Sequence, residues 1–182
     1  MSAAPPAATV GVLALQGGVR EQAHLLSALD ARVSLVRRPA DLIGPDGPRV
    51  DALVLPGGES STIDRLLRTF ELFEPLQQLV AAGLPTLGTC AGLVLLAARV
   101  LDAAPGQRSL GALDVDVRRN AFGAQAHSSE QHLDTALGPA HAAFIRAPLV
   151  VRTGDDVEVL ARTSGGIVAV RQNRAIGISF HP

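Results

Sequence analysis

Residues 84–99, LPTLGTCAGLVLLAAR, combine a short apolar approach, a Gly-x-Cys-x-Gly turn and an apolar run of helical character. Leu84–Gly88 reads as a strand leading into Cys90, and Ala91–Arg99 as the helix that follows. Glycines two positions either side of Cys90 permit the strained strand-to-helix turn of a nucleophile elbow, which lifts the central side chain out of the sheet edge. The sulfur then lies at a helix N-terminus, where the dipole is expected to favour thiolate, and the Ala91 amide points toward a developing oxyanion. A buried cysteine acting as a small hydrophobe is the plainer alternative. The paired glycines weigh against it.

The same grammar runs upstream. Thr9–Leu15 (TVGVLAL) is a continuous β-prone apolar run, as in a strand buried on both faces. Gln16-Gly17-Gly18 ends it; Val19, Ala23, Leu26 and Leu29 then recur at helical spacing, with Arg20 and Glu21 opposite. Val33–Val36 and Asp51–Leu55 read as further strands. Ser60-Ser61-Thr62 predicts a cap for a helix running on from Ile63, with Asp64 in its first turn. Pro75 predicts a break or kink in that helix, and Gly83 the end of its continuation. Strand and helix in alternation predict parallel βαβ units with right-handed crossovers.

After Gly111 the pattern changes to short strands, expected at Val115–Arg118, Leu149–Thr153, Val157–Thr163, Ile167–Arg171 and Ala175–Phe180. Gln172-Asn173-Arg174 reads as a hairpin turn. The stretch from Asn120 to Pro139 has no clear period and is expected to be loop. The predicted fold is α/β: a three-layer sandwich with a mainly parallel central sheet and a late antiparallel extension. One domain is expected over residues 9–182, after a flexible tail over 1–8.

Composition narrows the function. The chain has 182 residues, 47% hydrophobic and 18% charged, which supports one sizeable core and excludes a mainly disordered chain. A net charge of -1 offers no global electrostatic case for nucleic acid or an anionic membrane. With no Trp or Tyr, platforms for stacking bases are scarce. The single cysteine forbids an internal disulfide, supplies too few sulfurs for a structural zinc site, and fits a reduced compartment. The N-terminus lacks a secretory pattern, and no apolar run approaches the ~18 residues of a membrane span. A cytoplasmic location is the expectation. His127 and His132 match no strong metal-ligand spacing, so no metal is expected.

Two more motifs carry chemistry. LPGGESST (55–62) follows a strand and opens a helix; its consecutive glycines expose backbone N–H groups as an anion or oxyanion site. SFHP (179–182) puts His181 at the end of the last strand, where it can reach a nucleophile on a neighbouring strand edge and act as its general base. A frayed terminal histidine is the alternative.

GVLALQG (11–17), LPGGESST (55–62), GTCAGL (88–93), RRNAFG (118–123), FIRAP (144–148) and SFHP (179–182) occur in one order across nearly the whole chain. Together they resemble the glutaminase subunits of pyridoxal 5'-phosphate synthase, a branch of the class I, triad-type glutamine amidotransferases. The resemblance implies hydrolysis of L-glutamine through a thioester on Cys90, with His181 as base and then acid. It implies that Gly58, Glu59 and Ser60 hold glutamine, and that Gly57 and Gly58 join Ala91 around the oxyanion. Arg119, Ile145 and Arg146 match the remaining substrate positions, and an arginine suits the α-carboxylate because it binds bidentately. Gln16 falls where the family orders the oxyanion hole at the subunit boundary.

The resemblance further implies a heteromeric complex in which ammonia passes to a (β/α)8-barrel synthase subunit, with no cofactor in the glutaminase half. The family continues His-Pro-Glu, that Glu orienting the histidine, so the natural protein is expected to continue past Pro182 with Glu and a short helical tail. The rival readings are a glutaminase subunit of another pathway, a non-catalytic regulatory subunit, and an unrelated α/β cysteine hydrolase.

Overall fold

Alternate side chains of the first strand go to opposite sides of a sheet, and that alternation sets the layers. The computed structural model describes residues 7–119 and 129–182. In β1 (Thr9–Leu13), Leu13 joins the main core while Val10 and Val12 join a smaller cluster. In the neighbouring strand of residues Ala52–Leu55, Leu53 and Leu55 go one way and Val54 the other. Both strands are apolar throughout because both faces are covered.

After β1 come α1 (Val19–Ala28), β2 (Arg32–Val36), α2 (Pro39–Leu42) and the short pair β3 (Ile43–Gly44) and β4 (Gly47–Pro48). The chain continues through β5 (Ala52–Leu55), α3 (Ser60–Thr69), α4 (Phe73–Ala81), β6 (Thr86–Thr89), α5 (Ala91–Leu96), β7 (Ala97–Val100) and β8 (Leu113–Arg118). It ends with β9 (Ser129–Thr135), β10 (Gly138–Phe144), β11 (Leu149–Thr153), β12 (Glu158–Thr163), β13 (Gly166–Gln172) and β14 (Ala175–Ile178).

The large sheet runs β2-β1-β5-β6-β14-β13-β11-β8-β7, with β12 on β13. The stretch from β2 to β14 is parallel, and β14-β13, β13-β11 and β11-β8 are antiparallel. One face is covered by α2, α3, α4 and α5, through Leu42, Ile63, Leu67, Phe73, Leu76 and the α5 leucines. Val19 and Leu26 of α1 pack against the smaller cluster on the other face. Leu133, Ala142 and Phe144 of the β9–β10 hairpin bury a third cluster with Phe180. A fully buried leucine of this kind contributes about 2 kcal/mol by removal of its surface from water.

The last strand, β14, lies between the strand before Cys90 and the antiparallel extension. Ile178 stands opposite Thr89 in parallel register, and the Cys90 amide donates to the Ile178 carbonyl at 2.8 Å. This pairing carries both chemistry-bearing termini to one sheet edge.

Several local expectations need correction. The helix after Cys90 stops at Leu96, not Arg99, because Ala97–Val100 leave it to pair in parallel with β8. Helix α3 begins at Ser60 and its cap is Glu59, whose carboxylate accepts from the Ser61 amide at 3.3 Å. The break after α3 falls at Phe70–Leu72, where Glu71 has φ 57°. Pro75 sits in the first turn of α4, where its missing N–H leaves no helical bond unmade. Leu29 lies beyond the end of α1 and is 77% exposed. The final strand ends at Ile178, although Phe180 remains buried.

The region expected to be loop between Asn120 and Pro139 holds β9 and the start of β10. Thr135 Oγ1 closes their turn by donating to the Gly138 carbonyl at 2.7 Å, and Gly138 adopts φ 116°. Residues 120–128, His127 included, and residues 1–6 of the expected tail lie outside the described residues. Gly83, with φ 93°, and Asn173, with φ 52°, do terminate α4 and turn the β13–β14 hairpin.

Candidate active site

Cys90 caps α5 with φ 50° and ψ −103°, a conformation that costs a non-glycine residue about 1–3 kcal/mol. The strain is held by close packing on either side. A Cβ at Gly88 would overlap the Gly92 carbonyl, and one at Gly92 would overlap the Leu55 carbonyl. Only glycine permits the helix to start this close to β5 and β6, so the elbow expected from the sequence is present.

The thiolate expectation is corrected. Cys90 is buried, and burial pushes its thiol above the ordinary value of 9.0. A hydrogen bond from the Ala91 amide and the charge of Arg146 pull the other way, while Glu59 adds to the rise. Desolvation outweighs the Ala91 hydrogen bond and the Arg146 charge.

A cavity beside the sulfur is lined by Gly58, Glu59, Ser60, Cys90, Ala91, Val94, Arg119, Arg146 and Pro148. Seven of the residues singled out in the sequence thus share one space. Arg119 extends from the end of β8, and its NH1 donates to Glu59 Oε1 at 3.4 Å and to Gln107 Oε1 at 3.1 Å. Its Nε is buried without a partner among the described residues. Arg146, with φ 46°, turns the chain after β10 and presents its charge toward Cys90. A carboxylate and two guanidinium groups around a thiol suit a free amino acid, whose α-ammonium and α-carboxylate need opposite charges.

Gln16, Gly57 and His181 border this cavity rather than line it. Gln16 Oε1 accepts from the Glu59 amide at 2.9 Å, and the Gly18 amide donates to the Gly57 carbonyl at 2.9 Å. The His181 ring rests on Gly57 so closely that a Cβ there would overlap the ring. His181 is tied at its backbone to Ala143, each amide donating to the other's carbonyl at 2.9 Å. It is therefore no frayed end. Burial holds its imidazole below the ordinary value of 6.5, opposed by the charge of Glu21.

Ile145 is not brought in. It is 49% exposed and lines a separate groove with Ser129, Glu130, Ala143 and Phe144. Sequence reasoning missed Gln107, which touches both Arg119 and Ser60 from the segment between β7 and β8. That segment shows no period and no motif, so no local signal marks it. His132 and His141 meet edge to face at 5.6 Å, with Glu130 3.6 Å from His141. No group of three or more His, Cys, Asp or Glu among the described residues is placed to hold a metal ion. No helix among them is long and apolar enough to cross a membrane.

Residues 12–182 match the model of the SNO glutamine amidotransferase family. The chain is 56% identical to a pyridoxal 5'-phosphate synthase subunit PdxT of Kineococcus radiotolerans, over 97% of this chain and 88% of the relative. It is 54% identical to the subunit of the same name in Mycobacteroides abscessus, over 95% of this chain and 88% of the relative. A crystal structure described as a glutamine amidotransferase superposes with a TM-score of 0.86 at 43% identity, covering 95% of this chain and 89% of that one. A glutamine amidotransferase from Thermotoga maritima shares the fold, with a TM-score of 0.63 at 12% identity over 96% of this chain and 75% of that one.

Proposed function

The chain belongs to the SNO glutamine amidotransferase family, and we infer that it hydrolyses L-glutamine to glutamate and ammonia for the synthesis of pyridoxal 5'-phosphate. The observation that carries this reading is the cavity in which strained Cys90 meets Glu59, Arg119 and Arg146. The names of the relatives support the pathway.

Glutamine binds with its α-carboxylate on Arg119 and its α-ammonium toward Glu59, which directs the side-chain carboxamide to Cys90. Ser60 and the Gly58 backbone complete the seat, and Arg146 closes its far side. His181 takes the thiol proton as sulfur attacks the carboxamide carbon. Negative charge on the carboxamide oxygen meets the Ala91 amide and the Gly57-Gly58 backbone. The C–N bond then breaks as His181 returns its proton to nitrogen, releasing ammonia and leaving a thioester. Water attacks that thioester, His181 accepts its proton, and the C–S bond breaks to give glutamate and the free thiol. Each turnover consumes one water and leaves the enzyme unchanged.

Burial raises the thiol and lowers the imidazole, and both directions favour the neutral forms over the ion pair. Proton transfer therefore waits on a closure that supplies compensating charge and hydrogen bonds. A (β/α)8-barrel synthase subunit is the proposed source of that closure, acting through Gln16 and the Gly57-Gly58 segment, and the proposed recipient of the ammonia. No cofactor takes part in these steps. A nucleophile that must stay reduced suits the cytoplasm. The order of motifs from Gly11 to Pro182 supports one amidotransferase domain over residues 9–182.

The test is ammonia release from glutamine, measured with and without the synthase subunit. The expected result is slow release alone and marked acceleration in the complex. No release in either condition would overturn the activity, and equal rates would overturn the activation.

A further inference from the structure

Gln107 lies outside the cavity, yet its carboxamide joins two residues that line it. Its Oε1 accepts from the Ala104 amide at 3.1 Å and from Arg119 NH1 at 3.1 Å. Its Nε2 donates to Ser60 Oγ at 3.1 Å. Both donors to Oε1 lack any acceptor capacity, so the carboxamide can face only one way. Ser60 is 3% exposed and the Arg119 side chain 20%, so neither bond is an incidental surface contact.

We propose that Gln107 is a positioning residue that sets the strength with which glutamine's α-carboxylate is bound. The inference rests on the reading of Arg119 and Ser60 as glutamine-binding residues. Arg119 has two acceptors in reach of NH1: the neutral Gln107 oxygen at 3.1 Å and the charged Glu59 oxygen at 3.4 Å. A carboxylate is the stronger acceptor for a guanidinium. NH1 is already shared between the two; with Gln107 absent it would close on Glu59 alone, and each would more fully neutralise the partner meant for the substrate. Held by a neutral oxygen, the guanidinium keeps its charge for an incoming carboxylate. The buried Nε of Arg119, without a partner among the described residues, marks where part of that charge is open to a ligand. The second bond, to Ser60, holds the carboxamide in the orientation that receives Arg119.

The experiment measures glutamine hydrolysis by the complete complex with the synthase subunit, for Gln107→Ala, Gln107→Glu, Arg119→Ala and the Arg119→Ala/Gln107→Ala double variant. Loss of the neutral acceptor in Gln107→Ala is expected to raise KM about five- to tenfold, the effect of one hydrogen bond, with kcat within about twofold. Gln107→Glu retains an acceptor for the Ala104 amide but pairs its charge with Arg119. Its KM is expected to rise further than that of the alanine variant. The double variant should be no worse than Arg119→Ala, because both act through one guanidinium.

A role confined to anchoring the loop predicts the opposite ranking, with Gln107→Glu restoring the wild-type KM. That result, unchanged KM in both single variants, or additive effects in the double variant would each overturn the proposal. If Gln107→Ala fails to fold, the glutamate variant alone decides between the two rankings. Should Arg119→Ala itself leave KM unchanged, the glutamine-site reading fails and this proposal with it. A raised KM in Arg119→Ala without any effect at Gln107 removes this proposal only.

Discussion

The side chain of Gln16 accepts the backbone amide of Glu59 at 2.9 Å, tying the end of β1 to the residue that caps α3. A Cβ at Gly58 would overlap that same Gln16 oxygen, so the glycine segment and Gln16 are fitted to one another. Gln16→Ala leaves the Glu59 amide without its partner and the Gly57-Gly58 segment without its stop. The expected outcome is a fall of about tenfold in kcat/KM within the complex, and a smaller activation by the synthase. Steady-state glutamine hydrolysis with and without the synthase checks it; an unchanged activation ratio would show that the synthase does not act through Gln16.

Gly57→Ala places a methyl group where the His181 ring stands. The ring has to move, while the α-carboxylate contacts at Arg119 are untouched. A loss of about 10²–10⁴ in kcat is expected, the range of a general base, with KM within a few-fold of wild type. Paired kcat and KM values on the complex check this. A variant with wild-type kcat would show that the base is not the ring packed on Gly57.

Much of this arrangement is legible in the chain. Glycines on both sides of Cys90 announce the elbow, and the apolar runs of β1 and β5 announce a sheet covered on two faces. The helix overshoot at Ala97–Val100 had no local remedy, because the pairing that stops the helix lies with β8, many residues away. The β9–β10 hairpin was hidden by polar residues on its open face: in β9 only Leu133 is buried. The thiol direction failed for a different reason. A helix terminus can be read from sequence, but the depth at which it is buried cannot. Gln107 is the same case in reverse, since its importance comes wholly from two side chains that folding brings beside it.

The opposite shifts at Cys90 and His181 make a pH prediction. The native His181 imidazole takes up a proton less readily than its ordinary value of 6.5 implies, so acid favours the unfolded chain. Its contribution to stability is fully present above 6.5 and is lost as pH falls through the native value. Cys90 behaves in the reverse sense: its contribution is fully present below 9.0 and is lost as pH rises through the raised native value. Thermal midpoints measured across pH should therefore show a plateau between these limits. Cys90→Ala should flatten the alkaline fall and leave the acid limb unchanged. An alkaline limb identical in wild type and variant would contradict the assignment of that fall to the buried thiol.

Nucleophilic attack by Cys90 on the glutamine carboxamide is the claim on which the rest depends. Its most direct measurement is glutamate and ammonia release by Cys90→Ala in the complex with the synthase, set beside wild type and beside thermal midpoints at neutral pH. Loss of the thiol removes the covalent route, and the small change in volume leaves the elbow packed. The account predicts a fall of at least about 10³ in kcat with a midpoint within a few degrees of wild type. Turnover retained within tenfold in a folded Cys90→Ala complex would contradict it.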